Sequence, residues 1–122
     1  MIVGIGTDLV ENKRVENACL RASFLTRYFT LREQELIEVS KNKACGNFAV
    51  KEAVAKAFGT GFRQMELQDI EVLRDEMGKP YVNLYNNALK KAQELNITTI
   101  HVSISNTSEY TIAYVIAETV GV

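Results

Sequence analysis

Two acids and one amine stand where they could share a phosphate. Asp8 closes the stretch Gly4-Ile-Gly-Thr-Asp8, and Glu52 and Lys56 lie four apart in Gly46-Asn-Phe-Ala-Val-Lys-Glu-Ala-Val-Ala-Lys-Ala-Phe-Gly-Thr-Gly61. Carboxylates from separate elements suit a hard cation such as Mg2+, which takes one or two protein oxygens and completes its shell with water and phosphate. A nearby lysine adds a point charge for that phosphate. No serine or cysteine is set beside a base, so acyl-enzyme chemistry has no support. Metal-assisted phosphoryl transfer needs no enzyme nucleophile, because positioning and charge neutralisation do the work. A second reading stands level with this one: Glu52 and Lys56 as an ordinary i,i+4 pair on a helix surface.

These groups need elements to hold them. Between Phe48 and Phe58 only Lys51, Glu52 and Lys56 are polar, and Gly59 and Gly61 stand where a helix would stop. The segment reads as a helix apolar nearly all round, hence buried. Glu52 and Lys56 fall roughly 40° apart on it, with Lys51 on the flank of Glu52. Residues 2–9 read as a strand with Gly4, Gly6 and Asp8 on one face, where a backbone or a ligand can come close. Asp8 also reads as a turn or N-cap acid before a helix starting near Glu11. A dinucleotide site is not indicated, because no G-x-G-x-x-G follows.

Residues 11–22 read as one helix. Arg14 and Arg21, seven apart, then share a face that is either a solvated basic surface or a docking strip for an acidic partner. Thr30 and Glu33 form a capping box opening a helix of about 31–40, and 41–46 reads as a polar connection. Residues 70–74 and 79–84 pair around the turn 75–78, and Pro80 marks an edge or a strand start. A helix over 87–95 precedes strands at 99–105 and 110–118. His101, the single histidine, reads as a strand-face residue with a local hydrogen bond. The order predicts an α+β fold, a mainly antiparallel sheet packed with helices around a central buried helix.

The chain has 122 residues, 47% of them hydrophobic, and a formal net charge of −1. That length suits one domain over 1–122, and the charge points to no nucleic acid and no acidic membrane surface. The start lacks the basic and apolar regions of a signal peptide, and no stretch is long enough to span a bilayer. Cys19 and Cys45 are isolated and read as thiols of a reducing compartment. One histidine and two scattered cysteines leave zinc without a ligand set.

Gly4-Ile-Gly-Thr-Asp8, the Lys-Glu-Ala-x-x-Lys helix ending in Gly59-Thr-Gly61, Gly78-Lys-Pro80 and His101-Val-Ser-Ile-Ser105 together resemble the holo-acyl-carrier-protein synthase family, the short 4′-phosphopantetheinyl transferases. The likeness runs over nearly the whole chain, in order. It implies a cytoplasmic enzyme moving phosphopantetheine from coenzyme A to a serine of apo acyl carrier protein and releasing adenosine 3′,5′-bisphosphate. It implies Mg2+ on Asp8 and Glu52, phosphate contact by Lys56, and help from Glu52 in deprotonating the serine. Gly59, Gly61, Lys79 and Pro80 would line the coenzyme A cleft beside Ser103, Ser105 and Asn106. Arg14 and Arg21 would meet the acidic carrier protein. A homotrimer with sites between subunits is implied as well. Two positions depart from the pattern: Asn47 stands where the family commonly has Arg, and Asn106 where it often has His. The competing expectation is a module of the same fold that binds coenzyme A or carrier protein without turnover.

Overall fold

The computed structural model describes residues 1–59 and 65–121. Its elements are β1 (Ile2–Glu11), α1 (Asn12–Ala18), α2 (Ala22–Tyr28), α3 (Leu31–Val39), α4 (Lys43–Ala57), a 3-10 turn (Leu67–Asp69), β2 (Ile70–Arg74), β3 (Pro80–Leu84), α5 (Asn86–Glu94), β4 (Thr99–Asn106) and β5 (Tyr110–Glu118). Every strand pairing is antiparallel: one sheet runs β1-β5-β4 and the second is the β2-β3 hairpin. The expected α+β class holds, with α4 at its centre.

α4 lies across the inner face of the larger sheet, against β1 and β5. Its Ala49, Val50, Ala53 and Val54 are fully buried in one core with Ala113, Val115 and Ala117 of β5. Alanines on both sides let helix and sheet approach closely. Gly4 and Gly6 take that approach to its limit. A Cβ on Gly4 would sit 1.9 Å from the carbonyl oxygen of Ala57, and one on Gly6 would sit 1.8 Å from that of Ala53. The glycine face of β1 thus receives a backbone, and Asp8, next on that face, is brought to the last turns of α4.

The helices differ from expectation in three places. α4 begins at Lys43, so most of the expected connection is helix. Asp8 is mid-strand and caps nothing, since β1 runs on to Glu11. The single helix over 11–22 is two helices, broken at Cys19–Arg21, with Arg21 extended at φ −95° and ψ 122°. A straight helix would set Val15 and Phe24 about 180° apart. Both pack on the same core, so the chain turns between them. Arg14 and Arg21 therefore do not share one helix face, though both are exposed.

The capping box at α3 forms in full: Glu33 N–H donates to Thr30 Oγ1 at 3.2 Å and Thr30 N–H donates to Glu33 Oε1 at 3.1 Å. Glu33 does more than cap. It is fully buried with Lys51 and Asn47 of α4. Lys51 Nζ donates to Glu33 Oε1 at 2.7 Å, to Leu67 O at 3.0 Å and to Ile70 O. Asn47 Nδ2 donates to Glu33 Oε2 and to Val72 O, each at 2.9 Å. Burial pushes the Glu33 carboxyl up and the Lys51 ammonium down, and their mutual attraction opposes both shifts. Removing one partner would strand the other in the core.

Candidate active site

Three of the sequence-identified groups meet where β1 crosses the C-terminal half of α4. Lys56 Nζ donates to Asp8 Oδ1 at 3.0 Å and to Thr7 O at 3.0 Å. Its partner is therefore Asp8 across the elements, and the intrahelical Glu52–Lys56 pair does not form. The Lys56 side chain is 55% exposed and that of Asp8 12%, so the amine reaches from an open surface over a sheltered carboxylate.

Glu52 projects into the groove that Asp8 also lines. That groove holds about 380 Å3 and is walled by Glu11, Arg14, Phe24 and Phe48. Burial raises the Glu52 carboxyl above its usual range, Asp8 raises it further by charge repulsion, and Lys56 pulls the other way. Among the described residues Glu52 has no hydrogen-bond partner. Two carboxylates that repel each other beside one amine are a donor set short of positive charge. That set fits a hard divalent cation, whose remaining shell would be water and phosphate. No group of three or more His, Cys, Asp or Glu gathers among the described residues, so the protein would supply two carboxylates and no closed cage. A carboxyl with a raised pKa is also a stronger proton acceptor than a free one.

Gly59 follows the α4 cap with φ 78° and has open space around its Cα, so its glycine serves the left-handed turn. Gly61 lies outside the described residues. Pro80 and Asn106 line a different groove, with Lys43, Gly46, Gly78 and Arg74. Lys79 is exposed in the hairpin turn, where its N–H donates to Asp75 Oδ1 at 2.9 Å. Ser103 and Ser105 sit on the outer face of edge strand β4, paired with Tyr114 and Ile112. One chain thus collects Asp8 and Glu52 in one groove, with Lys56 bonded to Asp8 beside it, and Pro80 and Asn106 in another. His101 makes the expected local contact, Nε2 to Glu118 Oε1 at 2.8 Å.

Sequence reasoning missed Phe24 as a wall of the first groove and Arg74 as a wall of the second. Phe24 stacks on Phe48 with ring centres 6.0 Å apart. Arg74 carried a signal: it follows Ile70 and Val72 on one face of β2, and a cation on an inward face calls for a partner.

Comparison with known proteins places the chain in a family. Residues 4–115 match the 4′-phosphopantetheinyl transferase superfamily. The chain is 58% identical over 118 residues to the holo-[acyl-carrier-protein] synthase of Lachnoclostridium phytofermentans, covering 97% of each chain. The crystal structure of the holo-[acyl-carrier-protein] synthase of Neisseria meningitidis superposes with a TM-score of 0.88 at 34% identity, over 98% of this chain and 100% of that one. The Helicobacter pylori enzyme, solved in complex with coenzyme A, superposes at 0.83 with 28% identity, over 93% and 99%. This chain is therefore a member of the 4′-phosphopantetheinyl transferase superfamily and, within it, an enzyme of the holo-[acyl-carrier-protein] synthase family.

Proposed function

We propose that the chain transfers 4′-phosphopantetheine from coenzyme A to a serine of apo acyl carrier protein, in a Mg2+-dependent reaction that releases adenosine 3′,5′-bisphosphate. The observation that carries this reading is a groove lined by Asp8 and Glu52, with Lys56 held by Asp8 beside it. A module that only bound its ligands would have no use for two carboxylates beside an amine. The serine Oγ attacks the phosphorus that bears pantetheine, and the bond to the 5′-phosphate oxygen of the nucleotide breaks. Asp8 and Glu52 would hold Mg2+, which when bound neutralises charge on the pyrophosphate. Glu52 takes the serine proton, directly or through water. Lys56, aimed by Asp8 and Thr7, steadies the charge that grows on the departing phosphate. Gly59, Gly61, Lys79, Pro80, Ser103, Ser105 and Asn106 are assigned to the coenzyme A cleft.

Arg14, on the wall of the Asp8 groove, and exposed Arg21 are assigned to the acidic carrier protein. The apolar outer face of β1 and β5 supports self-association, and we assign it to a homotrimer. No helix among the described residues is long and apolar enough to cross a membrane, and the proposed partners place the reaction in the cytoplasm. The deciding experiment is intact-mass analysis of apo acyl carrier protein incubated with this protein, coenzyme A and Mg2+, with and without EDTA. The expected result is a gain of one phosphopantetheine that EDTA abolishes; an unchanged carrier mass in active buffer overturns the proposal.

A further inference from the structure

The second groove is edged by a guanidinium, Arg74, that feels the buried Glu33 charge but forms no ion pair among the described residues. Arg74 ends β2 on the face of Ile70 and Val72, so its stem runs inward toward α4. Its Nη1 donates to Asn47 Oδ1 at 2.9 Å and to Leu73 O at 3.3 Å. Asn47 is itself fully buried and fixed by Glu33 and by Val72 O, so it aims the guanidinium and cannot reach a ligand. Gly46 makes room for the other arm: a Cβ there would lie 3.3 Å from Arg74 Nη2 and 3.2 Å from Ile104 Cδ1. Among the described residues Arg74 has no carboxylate within ion-pair distance.

The groove that Nη2 edges holds about 170 Å3, and its walls include Lys43 and Asn42 from the start of α4 and Asn106 from the end of β4. It has two cations and no acid. The positive end of the α4 dipole adds to them. A guanidinium with one arm pinned and the other open presents a fixed fork, the geometry that matches phosphate oxygens. The groove shares no lining residue with the groove of Asp8 and Glu52, and Gly46 and Lys56 are about 15 Å apart along α4. On the proposed reading the pyrophosphate belongs to Lys56, which leaves one phosphate of coenzyme A without a cation.

We infer that Arg74, aimed by Asn47 and seconded by Lys43, binds the 3′-phosphate of coenzyme A. The inference rests on the proposed use of coenzyme A, and the test separates the two. Calorimetric titration of the unaltered protein and of Arg74→Gln, each with coenzyme A and with dephospho-coenzyme A, reads the contact directly. The glutamine keeps an amide N–H for Asn47 and loses the charge. The unaltered protein should prefer coenzyme A about ten- to hundredfold, the worth of a charge-assisted pair. R74Q should lose that preference while binding dephospho-coenzyme A unchanged, which also reports an intact fold. Arg74→Lys, with charge but no fork, should fall between. A preference that survives in R74Q, equal weakening for both ligands, or no preference in the unaltered protein overturns Arg74 and leaves the coenzyme A reading standing. Failure of the unaltered protein to bind either ligand overturns both.

Discussion

The Asp8–Lys56 pair adds little to stability, because its amine is largely in water. Its consequence is direction. Two acceptors on β1, the Asp8 carboxylate Oδ1 and the Thr7 carbonyl, hold a flexible four-carbon stem beside the groove, so less rotamer freedom is lost when phosphate arrives. Glu52 is complementary: it has burial and repulsion and no hydrogen bond among the described residues, so it is the group most ready to take a cation or a proton. Replacing either acid should therefore damage chemistry more than folding. Asp8→Ala and Glu52→Ala are each expected to lower Mg2+-dependent turnover about a thousandfold or more, roughly 4 kcal/mol of transition-state stabilisation, with melting temperatures near the parent's. Steady-state rates across a Mg2+ titration check this, and near-normal rates in both variants would remove the metal assignment.

At the scale of elements, buried polar groups join α3, α4 and β2. Glu33 and Lys51 are one knot and Glu71 is another. Burial pushes the Glu71 carboxyl up, but hydrogen bonds from Thr30 at 2.6 Å, Asn83 at 3.1 Å and Tyr85 at 3.0 Å outweigh it, so it sits below the ordinary carboxylate range. The unfolded chain then takes up this proton at higher pH than the folded one. The stabilisation is complete above the unfolded value, near 4.3, and fades as pH falls through the folded one. Glu71→Gln should cost about 1–2 kcal/mol at pH 7, and its deficit should shrink toward pH 3. Urea midpoints at both pH values give the answer, and a deficit independent of pH would remove the charge from the account. The same elements set what a reader of the sequence could see. The capping box, the hairpin and the Gly4-Gly6-Asp8 face were legible because their signals are local and periodic. The phase of α4 was not: a helix apolar all round does not say whether Lys51, Glu52 or Lys56 points inward. Glu33 and the carbonyls of Leu67 and Ile70 decide it for Lys51, and they come from distant sequence. The break after Ala18 was hidden for a like reason, since no Pro or Gly marks it and only the shared core of Val15 and Phe24 requires it. Arg74 became a site residue only through Asn47 and Gly46, on another element.

At the scale of the molecule, one chain is half-dressed. Its larger sheet has α4 on one face and is exposed on the other. On the wet face Ile5 and Leu9 are each 62% exposed, Tyr114 53% and Ile116 36%. Register sets Ile5 beside Ile116 and Thr7 beside Tyr114, which makes a continuous apolar surface bordered by His101, Ser103 and Ser105 of β4. Exposed aliphatic and aromatic rows of this kind mark an interface. The two grooves lead to the same conclusion. Six residues of α4 separate Gly46 from Glu52, about 9 Å of rise and 120° of turn, so the phosphate groove and the acid groove of one chain look in different directions. On the proposed homotrimer, a ligand held by both sets of residues would lie between two copies, and the outer sheet face is where copies would meet. Ile5→Lys together with Ile116→Lys puts like charges side by side on that face without touching either groove or the core. Sedimentation should show the assembly fall to single chains, and unfolding should remain cooperative because the inner face is unaltered. Transfer of phosphopantetheine should fall with the assembly and recover in part as protein concentration rises, since mass action restores the missing neighbour. Full activity in a species of single-chain mass would instead mean that each chain completes its own site.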